Sequence, residues 1–360
     1  LNVFAPQQDY EDAKRWRALE NFIDAMAKET RTQGLPLMLV TVPSNLWVEP
    51  RMNQGQEYNF APVYLEARYE YALGRRKEAI ARLTQAVATR PSALWHFTLG
   101  VWFYRENAWQ KAYEQLILAQ DLDPARMRAS TAVNSLIRHA AIRNNTMLLD
   151  ADQIIKNQAP HGIPGWENFM DSQHVTRPDF LELAHLCALR LMDAGWSGLA
   201  SKTYRSYPPT PPVYQNIADA FFVVPRSNPS GWRSFSYFVE CHLPYLTAHA
   251  DALFIHAFPN PQKRSAAFLG LAEALWRKGR HDEARAANKK ARRIFSGWAD
   301  PYVQVGLFDI RENRHQAALE DFRQALKKKL GDPRAIFFAR RIEGTPYSSL
   351  RSGNSGDKLA

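Results

Sequence analysis

The sequence predicts a mainly α-helical protein, built from arrays of helical hairpins and interrupted by a partial α/β segment of parallel strands. Three observations lead there. Small residues and turn residues recur at a fixed spacing in two separate parts of the chain. Two short apolar runs of strand length flank the first of those parts. Helix-length amphipathic stretches, ended by glycine, fill most of the remainder.

Residues 10–33 alternate apolar and polar residues with a helical period, and Gly34 supplies a stop. "LPLMLVTVPSN" (35–45) follows, a continuous apolar run that suits a strand buried on both faces of a parallel sheet. The first repeat part comes next. Ala67, Gly74, Ala79, Ala86 and Pro91 recur 33 residues later as Gly100, Asn107, Ala112, Ala119 and Pro124. Ala or Gly lets two helices approach closely, Gly or Asn makes the turn between them, and Pro stops the second helix. "NTMLLDADQ" (145–153) is a second short apolar run, ending in acids. "HGIPGWENFMDSQHVT" (161–176) reads as a loop and "RPDFLELAHLCALRLMDAG" (177–195) as a helix. Residues 206–262 are rich in Pro and aromatics and read as a packed connector, with "PPTPP" (208–212) a rigid spacer rather than a polyproline ligand. In the second repeat part Ala272, Gly279, Ala284 and Ala291 recur 34 residues on as Gly306, Asn313, Ala318 and Ala325. The tail "SGNSGDKLA" reads as a vector-derived scar.

Composition narrows the function classes. A hydrophobic share of 46% and a charged share of 23% over 360 residues are those of a soluble globular protein with room for several domains. No apolar run approaches the roughly 20 residues of a membrane span, and no signal peptide is visible before residue 10. Cys187 and Cys241 lie 54 residues apart, which supports neither a disulfide framework nor a zinc ribbon. The net charge of +10 favours anionic partners without naming one. "KKARR" (289–293) and "KKK" (327–329) fall on second helices of repeats, where a solvated face explains them better than nucleic acid does. His161, Asp171, His174 and His185 lack the carboxylate or thiol spacing that would complete a metal shell, so no metal and no cofactor is expected.

The repeat pattern resembles the tetratricopeptide repeat, most clearly in "ALGRRKEAIARLTQAVATRP" (72–91) and "RKGRHDEARAANKKARRIF" (277–295). Such hairpins cannot bury their apolar faces alone and must stack. The resemblance implies a groove lined by first helices and partners that are proteins or peptides. On that register the groove carries Tyr64, Arg68, Tyr71, Phe97, Tyr104 and Arg105 in the front array and Trp276, Arg277 and Arg311 in the rear one. Aromatic and Arg anchors suit peptide binding. Inter-repeat core is the other reading of these aromatics.

A second resemblance is carried by "TVPSN" (41–45) and "DSQH" (171–174). In SGNH/GDSL-type hydrolases, whose fold is flavodoxin-like, a strand ends in an oxyanion-hole Asn. A later strand leads to a D-x-x-H loop that runs into the last helix. The order here is the same, with the repeats inserted between the two blocks. The resemblance implies His174 as general base, Asp171 as its orienter and Asn45 as oxyanion donor. It further implies ester hydrolysis or acyl transfer on an acylated carbohydrate or lipid. The family's nucleophilic Ser and a Gly donor belong upstream of residue 10, where this chain has almost nothing. "GNS" (353–355) has no strand before it and does not replace them. The chain alone is therefore expected to be inactive, with the nucleophile supplied by another segment or a partner. The plain alternative for Asp171 or Ser172 is to cap the following helix. The organisation expected is an SGNH-like segment (1–59), inserted repeats (60–143), the SGNH-like terminal block (144–205), the connector (206–262), C-terminal repeats (263–343) and a tail (344–360).

Overall fold

A computed structural model of the chain describes residues 6–50, 61–195, 236, 239–240 and 243–344. The "PPTPP" stretch, Cys241 and the "GNS" of the tail lie outside the described residues, as does most of the expected connector. The structure is mostly helical and divides into two compact units, one formed by 1–48 and 126–220, the other by 49–125 and 221–360.

In the first unit, helix α1 (Pro6–Thr32) leads into strand β1 (Met38–Val40) through Gly34, whose φ of +66° ends the helix. Apolar residues of α1 and of a helix at Thr131–Asn144 meet around Ile23, Leu39, Leu136 and Ala140. Strand β2 (Met147–Leu149) pairs in parallel with β1, Met38 opposite Met147 and Val40 opposite Leu149. Among the described residues this pair is the whole sheet, much less than the α/β segment expected from the two apolar runs. Side chains take over where the ladder stops. Asn134 bonds both the N–H (2.8 Å) and the C=O (2.9 Å) of Val42. Thr41 donates to Asp150 (2.8 Å), and Arg138 forks onto Asp150 and Asp152. Val42 thus meets its backbone needs without a further strand partner. A short helix follows at Ala151–Gln158, with Asp150 as its N-cap, and a longer one at Arg177–Asp193.

The second unit is a stack of hairpins. Helices α2 (Pro62–Ala72) and α3 (Arg76–Thr89) form one, and α4 (Ala93–Arg105) and α5 (Trp109–Asp121) the next. Numbering the first unit's remaining helices α6 (131–144), α7 (151–158) and α8 (177–193), the chain continues with α9 (Leu243–Ala257). The hairpins α10/α11 (Pro261–Arg277, His281–Ile294) and α12/α13 (Asp300–Arg311, His315–Lys328) follow, then α14 (Pro333–Ile342). Ala79, Ala112, Ala284 and Ala318 are fully buried where helices cross. Gly100 and Gly306 mark the closest approaches: a Cβ there would sit 2.6 Å from Leu116 and 2.7 Å from Phe322. The turn residues Asn107 and Asn313 both adopt φ of +58°, a left-handed conformation that Asn tolerates.

The two arrays are one stack. Helix α14 continues from α13 and packs on α2. Tyr69 stacks against Phe338 at 6.4 Å, and Arg341 bonds Glu66 at 3.0 Å across 275 residues of sequence. No helix among the described residues is long and apolar enough to cross a membrane.

Candidate functional site

Joining the arrays brings their first helices around one cavity of about 100 Å³. Of the expected groove residues, Tyr64, Arg68 and Tyr71 of α2 line it, with Phe97 and Arg105 of α4, Arg277 of α10 and Arg311 of α12. Tyr104 and Trp276 do not. Tyr104 packs edge-on against Trp109 (4.8 Å), and Trp276 is sandwiched between His281 (4.1 Å) and Phe308 (4.0 Å). For these two rings the packing reading replaces the groove reading, because each has a neighbour on its own or an adjacent hairpin to cover its face.

Polarity in the cavity is unevenly satisfied. Arg277 donates to Glu240 (2.7 Å) and to the carbonyl and hydroxyl of Ser236 (2.9 and 3.0 Å), so its fork is committed to the wall. Arg311 has only a loose ion pair with Glu273 at 3.9 Å, and makes no hydrogen bond among the described residues. Burial, together with the nearby Arg105 and Arg277, holds its pKa below the usual arginine range, against the pull of Glu273. The buried hydroxyl of Tyr71 has no hydrogen-bond partner among the described residues either. Its ring is fixed by stacking on Trp102 at 4.3 Å.

Sequence reasoning missed Glu273, Gln304 and Thr98, which are among the other residues that line the walls. Glu273 had a signal, standing four residues before Arg277 on one helix face. Gln304 had none: it is buried, and bridges Asn288 and the Leu269 carbonyl at 2.9 Å.

The expected catalytic residues lie in the first unit and come together. Asp171 Oδ1 accepts from the backbone N–H groups of Gln173 (2.8 Å) and His174 (2.6 Å), while Oδ2 pairs with His174 Nδ1 at 2.6 Å. A carboxylate at Nδ1 favours the proton on that nitrogen, the tautomer of a neutral imidazole that keeps its lone pair on Nε2. The His174 side chain is 67% exposed and that of Asp171 9%, which leaves the imidazole at the surface above a buried acid. Asp171 therefore caps its own turn rather than α8. The N-cap position of α8 is Thr176, whose hydroxyl donates to Asp179 at 2.6 Å.

Asn45 is fully buried beneath this loop. Its Nδ2 donates to the Asp171 carbonyl and its Oδ1 accepts from Trp47 N–H, both at 2.9 Å. Its own N–H reaches the Ser172 carbonyl (3.1 Å), and its carbonyl accepts from Arg128 Nη1 (2.9 Å). Asn45 acts as a brace for the segment that presents His174. Phe169 and Val175 pair across the loop, closing it at its base.

Compared with known proteins, residues 64–126 and 250–297 match the family described as Tetratricopeptide repeat. The match supports the tetratricopeptide reading of the front array and of the start of the rear one. Nothing in that match bears on a hydrolase. No curated protein matches the chain significantly.

Proposed function

We propose that the chain is a scaffold or adaptor that binds a protein or peptide partner through the first-helix face of its joined repeat stack. One observation supports this most. Four arginines and four aromatic rings, drawn from arrays far apart in sequence, converge on one cavity. Rigid aromatic faces and planar guanidinium groups anchor peptides at low entropic cost. The test is selection of a random dodecamer peptide library on the purified chain, followed by binding of enriched peptides to variants. Arg105→Glu, in the cavity, weakens binding about tenfold or more on this reading. Lys111→Glu, on the exposed side of α5, leaves it unchanged. Equal behaviour of the two variants contradicts the proposal.

A second reading is favoured by a specific geometry, the oriented His174–Asp171 pair braced by Asn45. It is an SGNH-like hydrolase block. There His174 Nε2 would take the proton from a Ser hydroxyl that attacks an ester carbonyl, with an acylated carbohydrate or lipid as substrate and Asp171 stabilising the imidazolium. The Ser would come from elsewhere. Incubation of this chain with a fluorescent fluorophosphonate therefore yields no labelled serine. Labelling that disappears in His174→Ala would show that the chain carries its own nucleophile.

A further inference from the structure

Two stretches that begin on second helices of the rear array hold no acid at all, 284–299 and 322–331. Within them Arg285, Lys290, Arg292 and Arg323 are ion-paired with carboxylates from outside. Lys289, Arg293, Lys327 and Lys328 are exposed and have no partner among the described residues. Lys329 is exposed too, with only a loose pair to Asp332 at 3.9 Å. A solvated face accounts for the paired members of these runs but leaves the free ones unexplained.

These cations share one edge of the repeat stack. Arg292 of α11 bonds Asp321 of α13 at 2.9 Å, which sets the two helices side by side. Phe295 and Lys329 cap their C-terminal ends with matching backbone angles, φ of −141° in both and ψ of 89° and 94°. The chain therefore leaves both helices in the same way. At the second exit the Lys329 carbonyl accepts from the Asp332 N–H (3.2 Å), closing a turn around Leu330 and Gly331. Gly331 supplies the left-handed φ of +80° that this turn uses. Leu330, at its tip, is 94% exposed, more than any other large apolar residue described. The helix dipole explains a cation in the last turn of each helix. It does not explain a bare leucine directly after three lysines.

We infer that this edge docks on an anionic lipid bilayer, with the free cations on the headgroups and Leu330 inserted between them into the acyl boundary. Basic clusters are drawn to anionic leaflets, and a large apolar side chain gains by leaving water at the interface. A nucleic-acid backbone would use the same cations and leave Leu330 in water. The inference is independent of the peptide-binding reading, which concerns the first helices.

Co-sedimentation of the full chain with vesicles tests it. Phosphatidylcholine alone is compared with phosphatidylcholine carrying about 30 mol% phosphatidylglycerol. The expected result is binding to the anionic vesicles only, lost at high salt because the attraction is screened. Each cation near the surface is worth roughly fivefold, so Lys327→Gln combined with Lys328→Gln lowers the affinity about twentyfold. Leu330→Ser lowers it about fivefold. Lys77→Glu, on the exposed start of α3, leaves it unchanged. Equal binding to uncharged vesicles, or binding to neither kind, would overturn the proposal. So would an equal loss in Lys77→Glu, which would make the attraction one of net charge alone. A Leu330→Ser variant that binds like the wild type would remove the insertion and with it the bilayer. Tighter binding to a short DNA duplex than to the anionic vesicles, insensitive to Leu330→Ser, would assign the edge to nucleic acid instead.

Discussion

Gly100 and Gly306 show how single residues set this fold. Each stands where two helices touch, and a methyl group at either would overlap a neighbour's side chain by more than packing allows. Gly100→Ala and Gly306→Ala are expected to cost about 1–3 kcal/mol each in urea unfolding, the usual range for overpacking a tight core. Asn45 sets the geometry of the candidate hydrolase-type site in the same way. Asn45→Ala leaves the Asp171 carbonyl and the Trp47 N–H buried without their partner, which should cost about 1–3 kcal/mol. Hydrogen exchange at residues 168–176 should quicken in that variant while the repeat helices stay protected. At this scale the sequence was informative wherever chemistry demands one residue type. Gly and Asn at the turns, Ala at the crossings and Asp three before His are such positions. It could not tell Trp276 in a packed sandwich from a ring in the groove, because an aromatic suits either place and only the neighbouring Phe308 and His281 decide.

Between elements, polar networks tie the helices of adjacent hairpins. Asp309 of α12 accepts from Arg285 of α11 and from Arg314, both at 2.7 Å, and lies near Asp321 of α13. Burial and the Asp321 carboxylate push Asp309 up to about 6, against the pull of Arg285. The sign follows from linkage: a carboxyl whose folded pKa lies above its unfolded 3.8 favours folding in its protonated form. Its contribution is full below about pH 3.8 and is lost as pH rises through about 6. The difference in unfolding free energy, wild type minus Asp309→Asn, should therefore fall between pH 4 and about 6.5. A difference that rises over this window would contradict the assignment. The elements themselves were mostly legible, since helices 10–33 and 177–195 are α1 and α8 to within a few residues. The apolar run 35–45 was not, because only 38–40 finds a strand partner. Beyond it, Thr41 and Val42 are held by Asp150 and Asn134, side chains distant in sequence that no local pattern reveals.

At the scale of the molecule, the repeats were plain from their spacing, whereas their union into one stack was not. That union depends on α14 meeting α2, a contact between parts of the chain with no shared pattern. It is also what creates the cavity, so the pairing of Arg68 and Arg105 with Arg277 and Arg311 is a product of tertiary structure. Breaking the Arg341–Glu66 link by Arg341→Ala should change stability by less than about 1 kcal/mol, since the pair is exposed. The stacked apolar contact of Tyr69 with Phe338 carries more of the union, and Phe338→Ala should cost about 3–5 kcal/mol in chemical unfolding. The central claim is that the joined first-helix face is where a partner binds. Hydrogen–deuterium exchange of the chain with and without a library-selected peptide tests it most directly. Slowed exchange in 62–72, 93–105, 261–277 and 300–311 is the predicted result. Protection confined to the second helices at 76–89, 109–121, 281–294 and 315–328 would contradict it.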